Sequence, residues 1–562
     1  MLLHQYNSSM SNIKHKTYSF RQTVIVLFLL TGLLFNSVQT SAQDTAHTKS
    51  IKIISSYKPV LKPATKWSFS ASPLPAVSSK EPLSYRLPDQ QFKVIMKPVE
   101  LKPAVYIPDS IPFVNHHFLK LGYGNFRRIY ADAGSSWGAG KPVQVQLMAG
   151  HQAIRGNLPF QQNNRTYAGA HVQMYQKNHV LGAKASINRQ NLYYYGLDPA
   201  NINAKKDSLL QTFDHFNIQL DWSDTQPNDL GISWHPTFQV SRFSDRSSFE
   251  LNAILRVPVS VSIGERSAFS VLMDADLTRY NPAGASVYDN HIFGIKPSFS
   301  FPVKDVSFDA GGRIAWDQGT LVFLPQFGME AFLRTKALIL QAGWQSSLQK
   351  NNFQQLADVN PWIRQPLFQF NTRKDEIFLG FRGDLPYSLS YRLRGGVTHF
   401  HQLPLFINVK QPSVFDVISE SNLQTIHLSG SVNWAYSDKL SASAEMNIYQ
   451  AVRQQDSEQP WHFIPVQVNM SASWKPVKNL ILTCQLSGWD GPYVLKDLNG
   501  AISKLPAVVD LNTSLDLRLH KLFSLWLELN NIFNQAYQRW YQYPVVGLQA
   551  VGGIRLNFDQ IK

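Results

Sequence analysis

The residues best suited to chemistry in this chain are few. His399 and His401 stand two apart, and His116 and His117 are adjacent. Imidazole pairs of this kind are metal ligands in waiting, but two ligands are too few for a closed site. Asp274 and Asp276 form an acidic pair, and His427 with Ser429 supplies a base and a hydroxyl. A hydrolase would need an acid, a base and a nucleophile in register. No spacing in the sequence links these four, so they read as ordinary polar positions and no enzyme is expected. Cys484 is the single cysteine. It lies between Leu482 and Leu486 and reads as a small hydrophobe. No phosphate or dinucleotide loop sits between a strand and a helix, so no cofactor, no metal and no catalytic residue is assigned.

What holds these residues is a pattern of period two. Ala168, Ala170, Val172 and Met174 alternate with Gly169, His171, Gln173 and Tyr175. Val271, Met273, Ala275 and Leu277 enclose Asp274 and Asp276 in the same way. Ile426, Leu428, Gly430, Val432 and Trp434 oppose His427, Ser429, Ser431 and Asn433; the turn at Ser437-Asp438-Lys439 then returns the pattern through Leu440 to Ile448. Period two puts one set on each face of a strand.

A soluble sandwich would bury the apolar face. Three features favour a membrane instead. Many runs reach ten or more residues, the span of a tilted membrane strand. The opposite face is rich in Asn, Gln, Ser, His and Arg, as a wet lumen requires. Trp and Tyr gather near strand ends, among them Tyr537, Trp540, Tyr541 and Tyr543, which read as an interfacial girdle. Lipid leaves no backbone group unpaired, so such strands must close on themselves. The expectation is an all-β fold: a transmembrane antiparallel barrel over residues 116–562, of about 22 strands with 20 as the alternative. Short turns such as Ser437–Lys439 should face the periplasm. Longer connections should face outward: Gly196–Leu210, Phe353–Arg373, Gln402–Asn422, Ala451–Trp461 and Gly488–Lys504.

Two segments precede the barrel. Val24–Phe35 is a short apolar run behind Lys14, Lys16 and Arg21, with Thr40-Ser41-Ala42 after it. This is a secretory signal peptide over residues 1–42. Residues 43–115 form a Pro-rich extended arm in which Lys58-Pro59-Val60-Leu61-Lys62-Pro63-Ala64 returns as Lys97-Pro98-Val99-Glu100-Leu101-Lys102-Pro103-Ala104. Each X-Pro step favours extended backbone. Trp67, Phe69, Tyr85 and Tyr106 are its anchors for docking on the barrel or on a periplasmic or lipoprotein partner.

Of the 562 residues, 16% are charged and the net charge is +15. Export and the absence of a compact basic block argue against nucleic acid. Lipid headgroups, or a lumen that attracts anions through Lys184 and Arg555, are the alternatives.

The last 60 residues are more specific. Leu505-Pro506-Ala507-Val508-Val509-Asp510-Leu511-Asn512 is followed by Asn530, Asn531, Phe533, Asn534 and Tyr537, then Trp540, Tyr543, Pro544 and Gly547, and a final strand ends on Phe558. This wording resembles the C-terminal end of TonB-dependent receptor barrels. The resemblance implies a 22-stranded barrel in the outer membrane of a Gram-negative cell, with arm and C-terminus periplasmic. It also implies insertion by the barrel-assembly machinery, which reads the terminal aromatic, among outer-membrane lipid. Receptors of this kind import metal chelates, vitamins or glycans with TonB energy. The chain departs from them in having no plug domain and no TonB box, so whether TonB acts here stays open. The function expected is transport or uptake of a solute, with the lumen occluded by the arm or by inward loops such as Phe353–Arg373. The alternative is a structural or assembly barrel that recruits a partner through the arm.

Overall fold

The computed structural model describes residues 116–558, apart from 197–204, 226–227, 229–230, 265, 335–336, 368–369, 410–412 and 498–499. The signal peptide and the Pro-rich arm therefore lie outside the described residues.

Antiparallel strands follow one another in sequence order. The first six are β1 (His117–Gly124), β2 (Arg128–Trp137), β3 (Val143–Arg155), β4 (Gln162–Tyr175), β5 (His179–Tyr193) and β6 (Leu210–Asp224). Strand β7 has two parts, Ile232–Trp234 and Thr237–Ser244, interrupted at His235-Pro236; both parts pair with β8 (Phe249–Ile263). Next come β9 (Ser267–Asn281), β10 (Tyr288–Val303), β11 (Val306–Asp317), β12 (Thr320–Arg334), β13 (Leu338–Gln349) and β14 (Thr372–Leu385). The last eight are β15 (Leu389–Ile407), β16 (Asp416–Ser437), β17 (Leu440–Gln454), β18 (Val466–Val477), β19 (Leu480–Trp489), β20 (Val508–His520), β21 (Phe523–Asn530) and β22 (Gln549–Asn557). Strand β1 pairs with β22, so the 22 strands form a closed antiparallel barrel.

Closure removes both sheet edges, as a bilayer demands. The seam needs glycine. Gly122 and Gly553 face each other across β1 and β22. A Cβ on Gly122 would come within 2.2 Å of the Trp526 ring. Trp526 lies over this gap, and its indole N–H donates to Leu121 O at 3.2 Å. Lys120 completes the seam, 3.0 Å from Glu528 and 4.0 Å above the Trp526 ring.

The period-two pattern settles the two faces. Phe216, Ile218, Leu220 and Trp222 of β6 are all exposed, as are Ile377, Leu379 and Phe381 of β14 and Leu525 and Leu527 of β21. A water-soluble surface does not expose large apolar side chains all the way round. The same positions form the outer band of a membrane barrel. Inward positions carry paired charges: Asp274 with Arg313, Glu330 with Arg382, and Glu376 with Lys374. The anion-attracting lumen suggested by Lys184 and Arg555 is thus offset by carboxylates on the same face.

The two ends differ. One end has tight turns: 176–178, 304–305, 438–439 and 478–479. Residues 116 and 558 both reach this end, since β1 starts there and β22 finishes there. The other end carries the long connections 350–371, 408–415, 455–465, 490–507 and 531–548.

Candidate functional site: a loop-built core over a polar lumen

At the long-loop end the connections turn inward and bury apolar side chains. Phe353, Leu356, Ala357 and Ile363 of the β13–β14 connection join Leu192, Phe213, Phe243 and Tyr280 from the wall strands β5, β6, β7 and β9. The same cluster continues through Phe406 of β15, Phe415 before β16, and Trp540 and Tyr543 from the β21–β22 connection. It therefore links separate arcs of the rim.

Local sequence explains the inward turn. Asn352 accepts the Gln355 N–H at 2.9 Å and starts a short helix, Phe353–Val359. Side-chain caps of this kind satisfy helix-end donors that would otherwise be orphaned. Here the wall adds a second cap. Glu250 of β8 is 1% exposed and accepts the Phe353 N–H at 2.7 Å. Before the helix, Lys350 donates to Asp276 Oδ1 at 2.8 Å and to the Asn290 carbonyl at 2.6 Å. Burial lowers the Lys350 pKa, and Asp276 opposes that shift. A buried charge needs such partners.

The far side of the core is aromatic. Trp362 stacks on Tyr543 at 4.1 Å between centroids, and Tyr195 meets Tyr543 edge-on at 4.8 Å. The Tyr543 hydroxyl donates to the Ser413 carbonyl. His462 is sandwiched by Phe415 and Trp540. Its Nδ1 donates to Phe406 O at 2.7 Å, and its Nε2 accepts the Tyr541 N–H at 3.3 Å. That arrangement requires a neutral ring, and burial pushes its pKa down to about 3. Arg539 donates to the His462 carbonyl at 3.0 Å and covers the Trp540 ring. Glu420 of β16 holds the β17–β18 connection by accepting N–H groups of Gln455, Asp456 and Ser457 at 2.8, 3.0 and 2.8 Å.

This placement corrects the reading of the aromatic knot. Trp540 and Tyr543 do not form a lipid-facing girdle; they are buried at 6% and 2% exposure inside the loop core. Tyr537 donates to Asp510 at 3.0 Å and packs on Trp489. The other residues of the C-terminal wording shape the same connection. Asn530 ends β21 opposite Gln549. Asn531 accepts the Gln535 N–H and donates to the Gln535 and Val546 carbonyls. Asn534 has φ of 51° and accepts the Leu548 N–H at 2.8 Å. A Cβ on Gly547 would lie 2.4 Å from Asn534 Oδ1, so a larger residue here would push the Asn534 side chain off the Leu548 N–H. The Pro544 carbonyl accepts from Gln161 and Tyr195. Phe533 is exposed, and the Phe558 N–H donates to His117 O beside the first strand.

The residues weighed for chemistry are dispersed. His399 and His401 face outward on β15 near the rim, with His401 3.6 Å from Asp375. His116 meets Arg555, while His117 turns to Ser135. Among the described residues no group of three His, Cys, Asp or Glu could hold a metal. Asp274 is committed to Arg313, and Asp276 to Lys350 and Asn252. His427 lies seven strands round the wall from β9, between Glu376 and Thr398. The inward turn of the 353–373 connection was expected; the aromatic core that joins it to the other connections was not. Its signals were Asn351-Asn352 before an apolar helical run and aromatics in connections, where polar residues are the rule.

Below the core the lumen wall is polar. A groove of about 650 Å³ runs along β15 to β19, between Arg392, Ser431, Glu445, Asn469 and Ser487.

This architecture defines a fold class, the closed 22-stranded antiparallel β-barrel. No protein-family model and no curated protein matches the sequence. Solved structures do. The FrpB iron transporter from Neisseria meningitidis aligns with TM-score 0.64 at 9% identity, over 80% of this chain and 82% of that one. The siderophore receptor PirA from Acinetobacter baumannii gives 0.62 at 8%, over 80% and 81%. The ferric enterobactin receptor PfeA from Pseudomonas aeruginosa gives 0.60 at 11%, over 79% and 80%. At such identity the likeness is one of fold.

Proposed function

We propose that this chain is a gated outer-membrane barrel for uptake of a small solute, with the loop core as its gate. The observation that carries the reading is the cluster joining Phe353, Trp362, Phe415, Trp540 and Tyr543 above a lumen with a polar wall. A 22-stranded barrel without an obstruction would leak. The short-turn end, where residues 116 and 558 both lie, faces the periplasm. The arm at residues 43–115 adds a second obstruction or recruits the partner that opens the gate. Ferric chelates, the cargo named for the structurally similar receptors, are one solute class consistent with the fold.

The experiment is single-channel conductance of the refolded full chain in a planar bilayer, compared with a variant lacking residues 353–363. A closed parent and a conducting variant support the gate. A parent that conducts freely removes it. A second reading rests on the same core: a barrel so closed would serve assembly, with the arm holding a periplasmic or lipoprotein partner. That reading requires both proteins to stay closed and a partner to co-purify only when the arm is present.

A further inference from the structure

The polar groove on the lumen wall carries charge of both signs. On β15, Arg392 and Arg394 stand two apart and so share the inward face. On β17, two strands away, Glu445 lines the middle of the groove. Register puts Arg392 beside Ser431 and Ser431 beside Glu445, so cation, hydroxyl and anion lie in one row across three strands. Two steps of ~4.8 Å between strands separate the charged positions by about 10 Å. The floor between them is hydroxyl and amide: Ser429, Ser431 and Asn433 of β16.

Arg392 and Glu445 have capacity to spare, whereas Arg394 is partly engaged. Arg382 lies directly opposite Arg392, and like charges so placed repel. Glu330 is already occupied by the Arg382 fork at 3.1 and 2.6 Å. Arg392 itself is exposed to the lumen and forms no ion pair with a described residue. Arg394 sits 3.8 Å above the Phe378 ring and 3.7 Å from Glu376, and its Nε is buried without an acceptor. Glu445 is also exposed to the lumen. It accepts from Asn447 at 2.9 Å and meets no cation among the described residues.

A guanidinium pair and a carboxylate on backbone positions about 10 Å apart can take a dipolar ion of about that length between them. At ~3.3–3.6 Å per residue, an extended tripeptide spans the gap. Its carboxylate meets Arg392 and Arg394 in the charge-assisted geometry that arginine favours. Its ammonium meets Glu445, and its peptide groups meet the hydroxyls and amides between. A simple anion would satisfy one end and be repelled at the other, and a neutral sugar would leave both charges unused. We propose that this groove binds short zwitterionic peptides of about three residues. The proposal names a solute class for the barrel and rests on the reading of the lumen as a solute passage. Arg392 is three residues from the tight-turn end of β15, and Glu445 five residues from that of β17. The groove is thus reached from the end opposite the loop core.

The test is calorimetric titration of the full-length barrel in detergent with Ala-Ala-Ala, its N-acetyl form, its C-terminal amide, and maltotriose. The free tripeptide should bind, and each capped form should bind at least about tenfold more weakly, the effect of losing one charge pair. Arg392→Gln should weaken the free peptide and abolish the further loss on amidation. Glu445→Gln should do the same for acetylation. Both side chains face water, so folding of the variants is checked by their heat-modifiable gel mobility. Equal binding of capped and free peptides, equal binding of maltotriose, or no binding at millimolar peptide overturns the proposal. Conductance through the gate-deleted variant without peptide binding would leave the transport reading standing alone. Peptide binding with no conductance in any variant would keep the groove and remove the transport reading.

Discussion

Trp362 and Tyr543 stack at 4.1 Å with their planes 28° apart, although 181 residues of chain separate them. The contact joins the β13–β14 connection to the β21–β22 connection across the mouth. Aromatic pairs of this kind contribute about 0.5–1.5 kcal/mol beyond their buried area. Replacing Trp362 by Ala also removes its indole bond to the Tyr193 carbonyl at 3.2 Å. The expected outcome for Trp362→Ala is a barrel that assembles normally and conducts intermittently in a planar bilayer. Unchanged closure would show that the rest of the core seals without this pair.

Lys350 and Asp276 hold the entrance of the same connection against the wall. Their side chains are 5% and 18% exposed, so the pair is largely desolvated. Removing one partner of such a pair costs about 3–5 kcal/mol, because the other is left uncompensated. Lys350→Met should therefore release residues 350–371, seen as protease cleavage within them while the barrel stays intact. Lys350→Met with Asp276→Asn should recover much of the protection. A double variant as labile as the single one would refute the charge argument.

His462 makes the core sensitive to acid. Its ring is held neutral, with a pKa of about 3 against an ordinary 6.5. Between those values the released connection binds a proton that the closed one excludes. Closure is therefore at full strength above about pH 6.5 and weakens as pH falls, by about 1.4 kcal/mol per unit. From pH 7 to pH 5 the loss is about 2 kcal/mol. Hydrogen exchange of residues 455–465 should accelerate over that interval. His462→Gln should start from a looser core but lose the pH dependence. A parent whose exchange does not respond to pH after correction for the intrinsic rate would contradict the buried neutral ring.

The wall was legible in the sequence, whereas of the mouth only the inward turn of residues 353–373 was, for one physical reason. A membrane strand repeats its instruction every second residue, so Ile426 to Trp434 or Phe216 to Trp222 declares its outward face within a single element. The strand number followed from span and length, and the outward-facing connections from their size. The core has no such period. Tyr195, Trp362, Phe415, His462, Trp540 and Tyr543 come from five connections and meet only after the barrel brings their ends together. Tyr and Trp beside a final strand look the same whether they face headgroups or fold inward, and this led Trp540 and Tyr543 to be placed in a girdle. The groove was hidden in another way. Arg392 and Glu445 are unremarkable on their own strands, and their relation exists only through the β15–β16–β17 register.

The two faces can be tested by moving one charge between them. Leu428 of β16 points outward and is exposed. Ser471 of β18 points into the lumen and forms the groove floor with Ser443, whose hydroxyl is 2.7 Å away. Arginine on the lipid side near the bilayer midplane costs about 2–4 kcal/mol, whereas lumen positions tolerate it. Leu428→Arg should lower the fraction folded into vesicles and shift its urea midpoint downward. Ser471→Arg should fold like the parent and alter only what the lumen binds or passes. The contrast is informative because the substituted residue is the same in both cases. A soluble barrel with a water-exposed exterior would make Leu428→Arg nearly neutral, so equal behaviour of the two variants would defeat the membrane assignment itself.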